Sequence, residues 1–261
     1  YPLEVAINKD HVLLTLDTSG EGLFKRGYRK NKGGAPLKEN MAAALVMLAH
    51  WFPDNPFVDP VCGSGTIPIE AALYGHNIAP GINRSFISEQ WVNLVPDGLS
   101  DEVRDEADSL ANYDIELDIH GYDIDQNMID ISQENSRAAG LTHDITFKQL
   151  AVKDWQTSEV NGVIVANPPY GERLSDKKSV HELYRQMGEL YRPLTTWSKY
   201  ILTADMEFEK YYGAPATKRR KLYNGALRTD LYQYWGKKDR SKPLNSKGFN
   251  ENAVLKTSKG G

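Results

Sequence analysis

No stretch of this 261-residue chain approaches the roughly 18 consecutive apolar residues that a membrane-spanning helix needs, and its N-terminus lacks the apolar segment of a secretory signal. A single cysteine, Cys62, excludes an internal disulfide framework and fits a reducing, cytoplasmic compartment. The six histidines stand at no metal-ligand spacing, so no metal is expected. Internal repeats are absent. With 40% hydrophobic and 25% charged residues the chain is neither disordered nor fibrous, and its length suits one large domain or a domain with a small appendage. Tyr1 stands where an initiator methionine would, which reads as a chain whose upstream part is missing.

Net positive charge is also lacking: 31 basic against 35 acidic residues give −4, which alone argues against a polyanionic partner. The distribution points the other way. Residues 210–261 carry thirteen Lys/Arg against three acids, and residues 25–38 carry six basic residues and no acid. The stretch 97–134 has thirteen acids opposed only by Arg104. An acidic protein so polarised can still present a basic face to phosphates.

Apolar runs at 3–7 and 11–16 flank Asn8-Lys9-Asp10 and read as a β-hairpin, followed by a glycine- and base-rich loop. Helical spacing runs from Leu37 to Phe52, and FVDPV at 57–61 reads as a short buried strand that Gly63-Ser64-Gly65 turns into a helix. Residues 76–112 have weak periodicity and read as an insertion. Strands at 116–122, 144–149, 162–166 and 199–204 alternate with helices at 126–139, carrying Met128, Ile131 and Asn135 on one side, and near 180–192. Two late strands, about 219–223 and 228–235, are joined by Asn224-Gly225 and must be antiparallel, because so short a link cannot make a parallel crossover. The alternation predicts an α/β fold with a mostly parallel sheet covered on both faces.

Three acids follow successive strands. Asp59 precedes the Val61-Cys62-Gly63-Ser64-Gly65-Thr66 turn; there it would repel a pyrophosphate but can accept hydrogen bonds from a cationic amine. No third glycine of the dinucleotide fingerprint follows, and no Gly-Lys-Ser/Thr, which excludes a P-loop. Asp123 in GYDID, beside Ile124, stands where α/β sheets hold ribose hydroxyls, while Asp125 reads as a helix cap. Asp154 in KDW could accept from an adenine amino group. Together they describe a site for a nucleoside with a positively charged appendage and no phosphate. Finally Asn167-Pro168-Pro169-Tyr170 follows a buried strand. Its two prolines fix an extended backbone, so the Asn167 amide oxygen and the Pro168 carbonyl can both accept from one exocyclic amine, with Tyr170 as a stacking face.

DPVCGSGT, GYDID, KDW and NPPYG in this order resemble a class I S-adenosylmethionine-dependent methyltransferase acting on an exocyclic amine. More narrowly, DTSGEGLFKRGYRK with APLKENMAAALV, NPPYGERL and LYNGALRTDLYQY resembles the RNA guanine N2-methyltransferases with a THUMP domain, nearest the bacterial large-subunit ribosomal RNA enzymes. The resemblance implies a Rossmann-like, seven-stranded sheet with an antiparallel last strand and S-adenosyl-L-methionine across its carboxyl edge, leaving S-adenosyl-L-homocysteine as product. The implied cofactor set is Asp59, Val61, Cys62, Gly63, Ser64, Gly65, Thr66, Asp123, Ile124, Asp154 and Asn167, with Asn167 to Tyr170 on the target base. It also implies a covering loop at Ala35 to Lys38 and an upstream THUMP-type domain whose trailing hairpin is residues 1–19. The expected division is a hairpin and basic linker at 1–34, the methyltransferase domain at 35–238 and a polar tail at 239–261. Candidate RNA-binding residues are Lys25, Arg26, Arg29, Lys30, Arg219, Arg220 and Lys221, with ribosomal RNA the expected partner.

Three competing readings stand beside this one. An Asn-Pro-Pro-Tyr clamp equally suits adenine in DNA or RNA, or a protein glutamine amide. A non-catalytic RNA-binding module would retain the pocket without chemistry. A nicotinamide dehydrogenase lacks its third glycine and would carry Asp59 against its cofactor.

Overall fold

The computed structural model describes residues 1–29, 37–170 and 176–241. The expected site residue Lys30, the Ala35-Pro36 half of the covering loop and the tail beyond Ser241 lie outside the described residues.

Strands β1 (Leu3–Asn8) and β2 (His11–Leu16) pair antiparallel with Asn8 opposite His11, so the turn is two residues long rather than the three expected. Lys9 and Asp10 both take positive φ, +46° and +64°, as the tight turn that matches strand twist requires. Every residue of both strands is exposed, including Ile7 and Leu14.

The main sheet has seven strands: β3 (Phe57–Asp59), β4 (Ile119–Asp123), β5 (Ile145–Gln149), β6 (Val163–Ala166), β7 (Ser198–Thr203), β8 (Lys218–Asn224) and β9 (Leu227–Tyr234). Their order is β5-β4-β3-β6-β7-β9-β8. The first five are mutually parallel; β9 runs antiparallel to β7 and β8 antiparallel to β9. The sheet is therefore the doubly wound one that the alternation predicts. The chain leaves β3 for β4 and β5 on one side and then crosses from β5 to β6 on the other, so the winding reverses between β3 and β6 and opens a crevice at their carboxyl ends.

Both faces are covered. Helices α1 (Glu39–Leu48), α2 (Thr66–Gly75) and α4 (Gln126–Ala138) lie on the face reached by Phe57, Val163, Val165 and Leu202. Helices α5 (Lys177–Tyr191) and α6 (Phe208–Tyr212) pack on the face reached by Val58, Ile164, Ala166 and Ile201, with Tyr184, Met187 and Tyr191. Neighbouring strand residues thus enter opposite cores, which is why these strands read as continuous apolar runs. The first core also holds Tyr28, so packing extends upstream of residue 35.

Local differences have physical causes. Strand β3 stops at Asp59 rather than Val61, because the Asp59 carboxylate accepts the Val61 N–H at 3.1 Å and bends the chain. Strand β4 starts at Ile119, later than expected. Of the expected side of helix α4, Asn135 is buried while Met128 and Ile131 are half-buried. Ile129, Ser132 and Ser136 join Asn135 in the core, since small polar groups allow the helix to press against the glycine turn, where Asn135 donates to the Ser64 carbonyl at 3.0 Å. The 76–112 insertion contains α3 (Leu99–Ser109), none of whose residues is buried. It is pinned to the domain by His76, which meets Asn112 O at 2.9 Å and Asp144 at 2.8 Å.

Candidate active site

The turn after β3 is held from both sides. Cys62 N–H donates to the Tyr122 carbonyl at 2.8 Å and Gly63 N–H donates to Asp123 Oδ2 at 2.9 Å, which ties the turn to the end of β4. Gly65 opens α2 at φ +80°, and a Cβ there would come within 2.8 Å of Ser132 Cβ, so only glycine combines that dihedral with that approach. Asp59 is 1% exposed. Burial pushes its carboxyl well above the usual range, and the neighbouring charge of Asp123 adds to the rise. The same two influences, burial first and then both acids, raise the buried Cys62 thiol and disfavour its thiolate.

Asp123 holds the Gly63 N–H through Oδ2 and the Asp125 N–H at 2.9 Å through Oδ1. A carboxylate has about four acceptor positions, so both oxygens keep capacity for a ligand. Asp125 caps α4 by accepting the Asn127 N–H at 2.9 Å, the structural role expected of it.

Two clefts meet at Val61 and Gly63. The smaller, about 130 Å³, is bounded by Asp59, Cys62, Ser64, Thr66 and Asn167, with Leu37 and Met128. The larger, about 540 Å³, is bounded by Asp123, Ile124, the Leu150–Lys153 turn, Pro169 and, from α5, Leu183 and Gln186. The structure thus brings the residues of both acidic strand ends and the post-β6 loop to one crevice. Gly65 lies behind the wall of the small cleft. Asp154 is exposed at the end of a short 3₁₀ turn, Val152–Asp154, and its neighbour Lys153 lines the larger cleft in its place. Leu183 and Gln186 carry no motif; their three-residue spacing places them on one helix face, which becomes a cleft wall only once α5 is docked.

In the segment after β6, Pro168 is buried, Pro169 is exposed, and Asn167 and Tyr170 are half-buried. The Tyr170 hydroxyl donates to Asn167 Oδ1 at 2.5 Å, so the amide oxygen expected to clamp a substrate amine already has a donor. Tyr184 from α5 donates to the Pro169 carbonyl at 3.2 Å and shares a hydrogen bond with Thr203 at 2.9 Å, anchoring the loop to the end of β7.

The candidate RNA-binding cations divide into two groups. Lys25, Arg220 and Lys221 are exposed, Lys25 with a Glu21 ion pair at 2.7 Å. Arg26 and Arg29 turn inward instead. Arg26 lies 3.5 Å from Glu70, and Arg29 donates to Thr66 Oγ1 at 2.6 Å and to the Leu37 carbonyl at 2.8 Å. Arg219 is paired with the buried Asp230 at 2.8 Å and covers the Tyr232 ring. Charge already compensated inside the fold has little left to give a phosphate.

Residues 26–233 match the family described as the RMKL-like methyltransferase domain. The chain belongs to that family. A Bacillus subtilis (strain 168) protein named “Putative RNA methyltransferase YpsC” is 56% identical over 237 residues, which cover 91% of this chain and 61% of that protein. Ribosomal RNA large subunit methyltransferase K/L of Syntrophotalea carbinolica is 39% identical over 247 residues, covering 89% of this chain and 34% of that protein. The crystal structure of SMU.472 complexed with SAH superposes with a TM-score of 0.86 at 52% identity, covering 91% of this chain and 62% of that one. This RMKL-like domain thus spans about three fifths of YpsC and one third of the K/L protein. Among its described residues no helix is long and apolar enough to cross a membrane.

Proposed function

We propose that this RMKL-like domain transfers a methyl group from S-adenosyl-L-methionine to the exocyclic 2-amino group of a guanine in RNA, specifically large-subunit ribosomal RNA, in the cytoplasm. The observation that carries the reading is that Asn167 and Asp59 bound one small cleft, which the Val61–Gly63 turn joins to a larger cleft bounded by Asp123. The relative complexed with SAH supports the cofactor, and the names of the relatives support the RNA. The alternative amines, adenine in nucleic acid or a glutamine side chain, share the clamp chemistry and become outcomes of the test.

The donor set fits the cofactor. Asp59, buried and without an ion pair among the described residues, gains by receiving the ammonium of a methionine moiety. Asp123 accepts the ribose hydroxyls with its remaining acceptor positions. The apolar walls of the larger cleft, Ile124, Leu150 and Val152, take a planar adenine. When bound, the cofactor supplies a methyl group activated by the positive sulfonium. Asn167 accepts from the target amine and holds its lone pair in place, which is catalysis chiefly by proximity and orientation. Asn167 Oδ1 has two lone pairs, so it can keep the Tyr170 hydroxyl on one and accept the target amine on the other. A base extruded from a helix costs a few kcal/mol, and contacts from Lys25, Arg220 and Lys221 to phosphates offset it.

The domain division follows the same reading. Residues 35–238, with the packed Tyr28–Arg29 segment, form the catalytic unit, and 239–261 are a tail. The hairpin, exposed throughout, apolar on the face of Leu3, Val5, Ile7, Val12, Leu14 and Leu16, and too small to be stable alone, joins the unit to an upstream THUMP-type domain.

The test incubates the purified chain with S-adenosyl-L-methionine and large-subunit ribosomal RNA, and identifies the modified nucleoside by mass spectrometry. N2-methylguanosine is expected, at a position unmodified in RNA from cells lacking the gene. N6-methyladenosine alone would replace guanine by adenine in the reading. Calorimetry showing no affinity for the cofactor would leave only a binding module.

A further inference from the structure

The small cleft has a charge asymmetry. Asp59 is the acid on its wall, and behind Thr66, which is also on the wall, stands the guanidinium of Arg29. The Arg29 side chain is only 10% exposed, its Nε lies 3.5 Å from Glu39, and that Nε makes no hydrogen bond among the described residues. Its Nη2 donates to Thr66 Oγ1 at 2.6 Å and to the Leu37 carbonyl at 2.8 Å, and Leu37 bounds the same cleft. A guanidinium can only donate. Thr66 is therefore fixed as acceptor toward Arg29, and its own proton must point elsewhere. Among the described residues its hydrogen-bond contact besides Arg29 is Ser64 Oγ, at a long 3.4 Å. Thr66 is also the first residue of α2, where free backbone N–H groups favour negative charge.

We propose that Arg29 is a positioning residue for the anionic end of the cofactor: it fixes the Thr66 hydroxyl as a donor to the α-carboxylate of S-adenosyl-L-methionine, while Asp59 receives the ammonium. The two ends of one zwitterion are thereby sorted to two ends of one cleft. This rests on the cofactor reading above and reassigns Arg29 from the RNA surface to the cofactor. The same guanidinium holds Leu37 against the cleft, so the segment entering α1 is set by the contact that orients the hydroxyl.

The test compares S-adenosyl-L-methionine with its decarboxylated analogue, which keeps the sulfonium and the amine and lacks only the carboxylate. Dissociation constants are measured by calorimetry on the full chain. The wild type is expected to prefer the intact cofactor by about tenfold or more, the scale of a hydrogen bond to a charged group. Arg29→Met and Thr66→Val bring the two ligands close to parity by weakening the intact cofactor alone. Arg29→Lys and Thr66→Ser, which keep a cation or a hydroxyl, restore part of the preference. A purely structural role would weaken both ligands together in Arg29→Met and leave the preference intact in the isosteric Thr66→Val; either result overturns the proposal. A wild type that binds both ligands equally overturns it too, while one that binds neither removes the cofactor reading itself.

Discussion

Glu70 on α2 is a carboxylate 3% exposed, bonded by the Tyr28 hydroxyl at 3.0 Å and lying 3.5 Å from Arg26. Burial raises its pKa from 4.5 to about 7, with Arg26 and Tyr28 opposing the rise. In the unfolded chain this group releases its proton near 4.5; in the folded chain it keeps the proton to about 7. The folded state therefore binds more protons between those values, and stability falls as pH rises through that window and levels off above it. A rise from 4.5 to about 7 corresponds to ~3 kcal/mol when fully developed. Glu70→Gln keeps the shape and removes the titration. The contacts of Arg26 and Tyr28 with the uncharged amide are the same at both pH values, so the loss of the carboxylate shifts all of the variant's points equally. Urea unfolding of both proteins at pH 5 and pH 8 should show the wild type losing about 2–3 kcal/mol more than the variant over that interval. Asp59 titrates with the same sign in both proteins and cancels in the difference. Parallel pH profiles, or a steeper one for the variant, would refute the assignment.

Other substitutions test the site directly. Asn167→Ala should lower methyl transfer by about a hundredfold with unchanged thermal stability, because it removes orientation rather than packing; near wild-type turnover in a folded variant would end the clamp mechanism. Tyr170→Phe, which frees Asn167 Oδ1 and keeps the ring, should hold transfer within a few-fold. Tyr170→Ala should cost roughly the 1–3 kcal/mol of base stacking, read in kcat/KM for RNA. Gly65→Ala should destabilise by about 2–5 kcal/mol in denaturant titrations, the sum of a left-handed alanine and an overpacked contact with Ser132.

The buried strands were legible because each faces two cores, which leaves no polar alternation to confuse with a helix. The late antiparallel pair was legible from its two-residue link. Short or polar elements were not: α6 spans five residues, less than two turns, and α3 buries nothing, so neither shows an apolar stripe. The face of α4 misled for the opposite reason, since a helix pressed against a glycine turn selects Ser132 and Ser136 for their size. Asp59 and Asn167 could be read from their positions at strand ends. The inward turn of Arg26 and Arg29 could not, because Glu39 and Glu70 lie 10 to 44 residues further along and nothing in a local run of cations reveals them. Arg219 is a similar case, its partner Asp230 lying on the neighbouring strand.

Of the described strands β9 is made last, yet it lies inside the sheet, between β7 and β8. A chain growing from its N-terminus therefore carries β7 with one open flank, its Ile201 and Leu202 backbone groups unmet, until residue 234 has been added. Every product cut short before that point exposes a sticky border capable of pairing with foreign strands. The sheet thus closes only when this interior strand arrives, after its outer neighbour β8 has already been made.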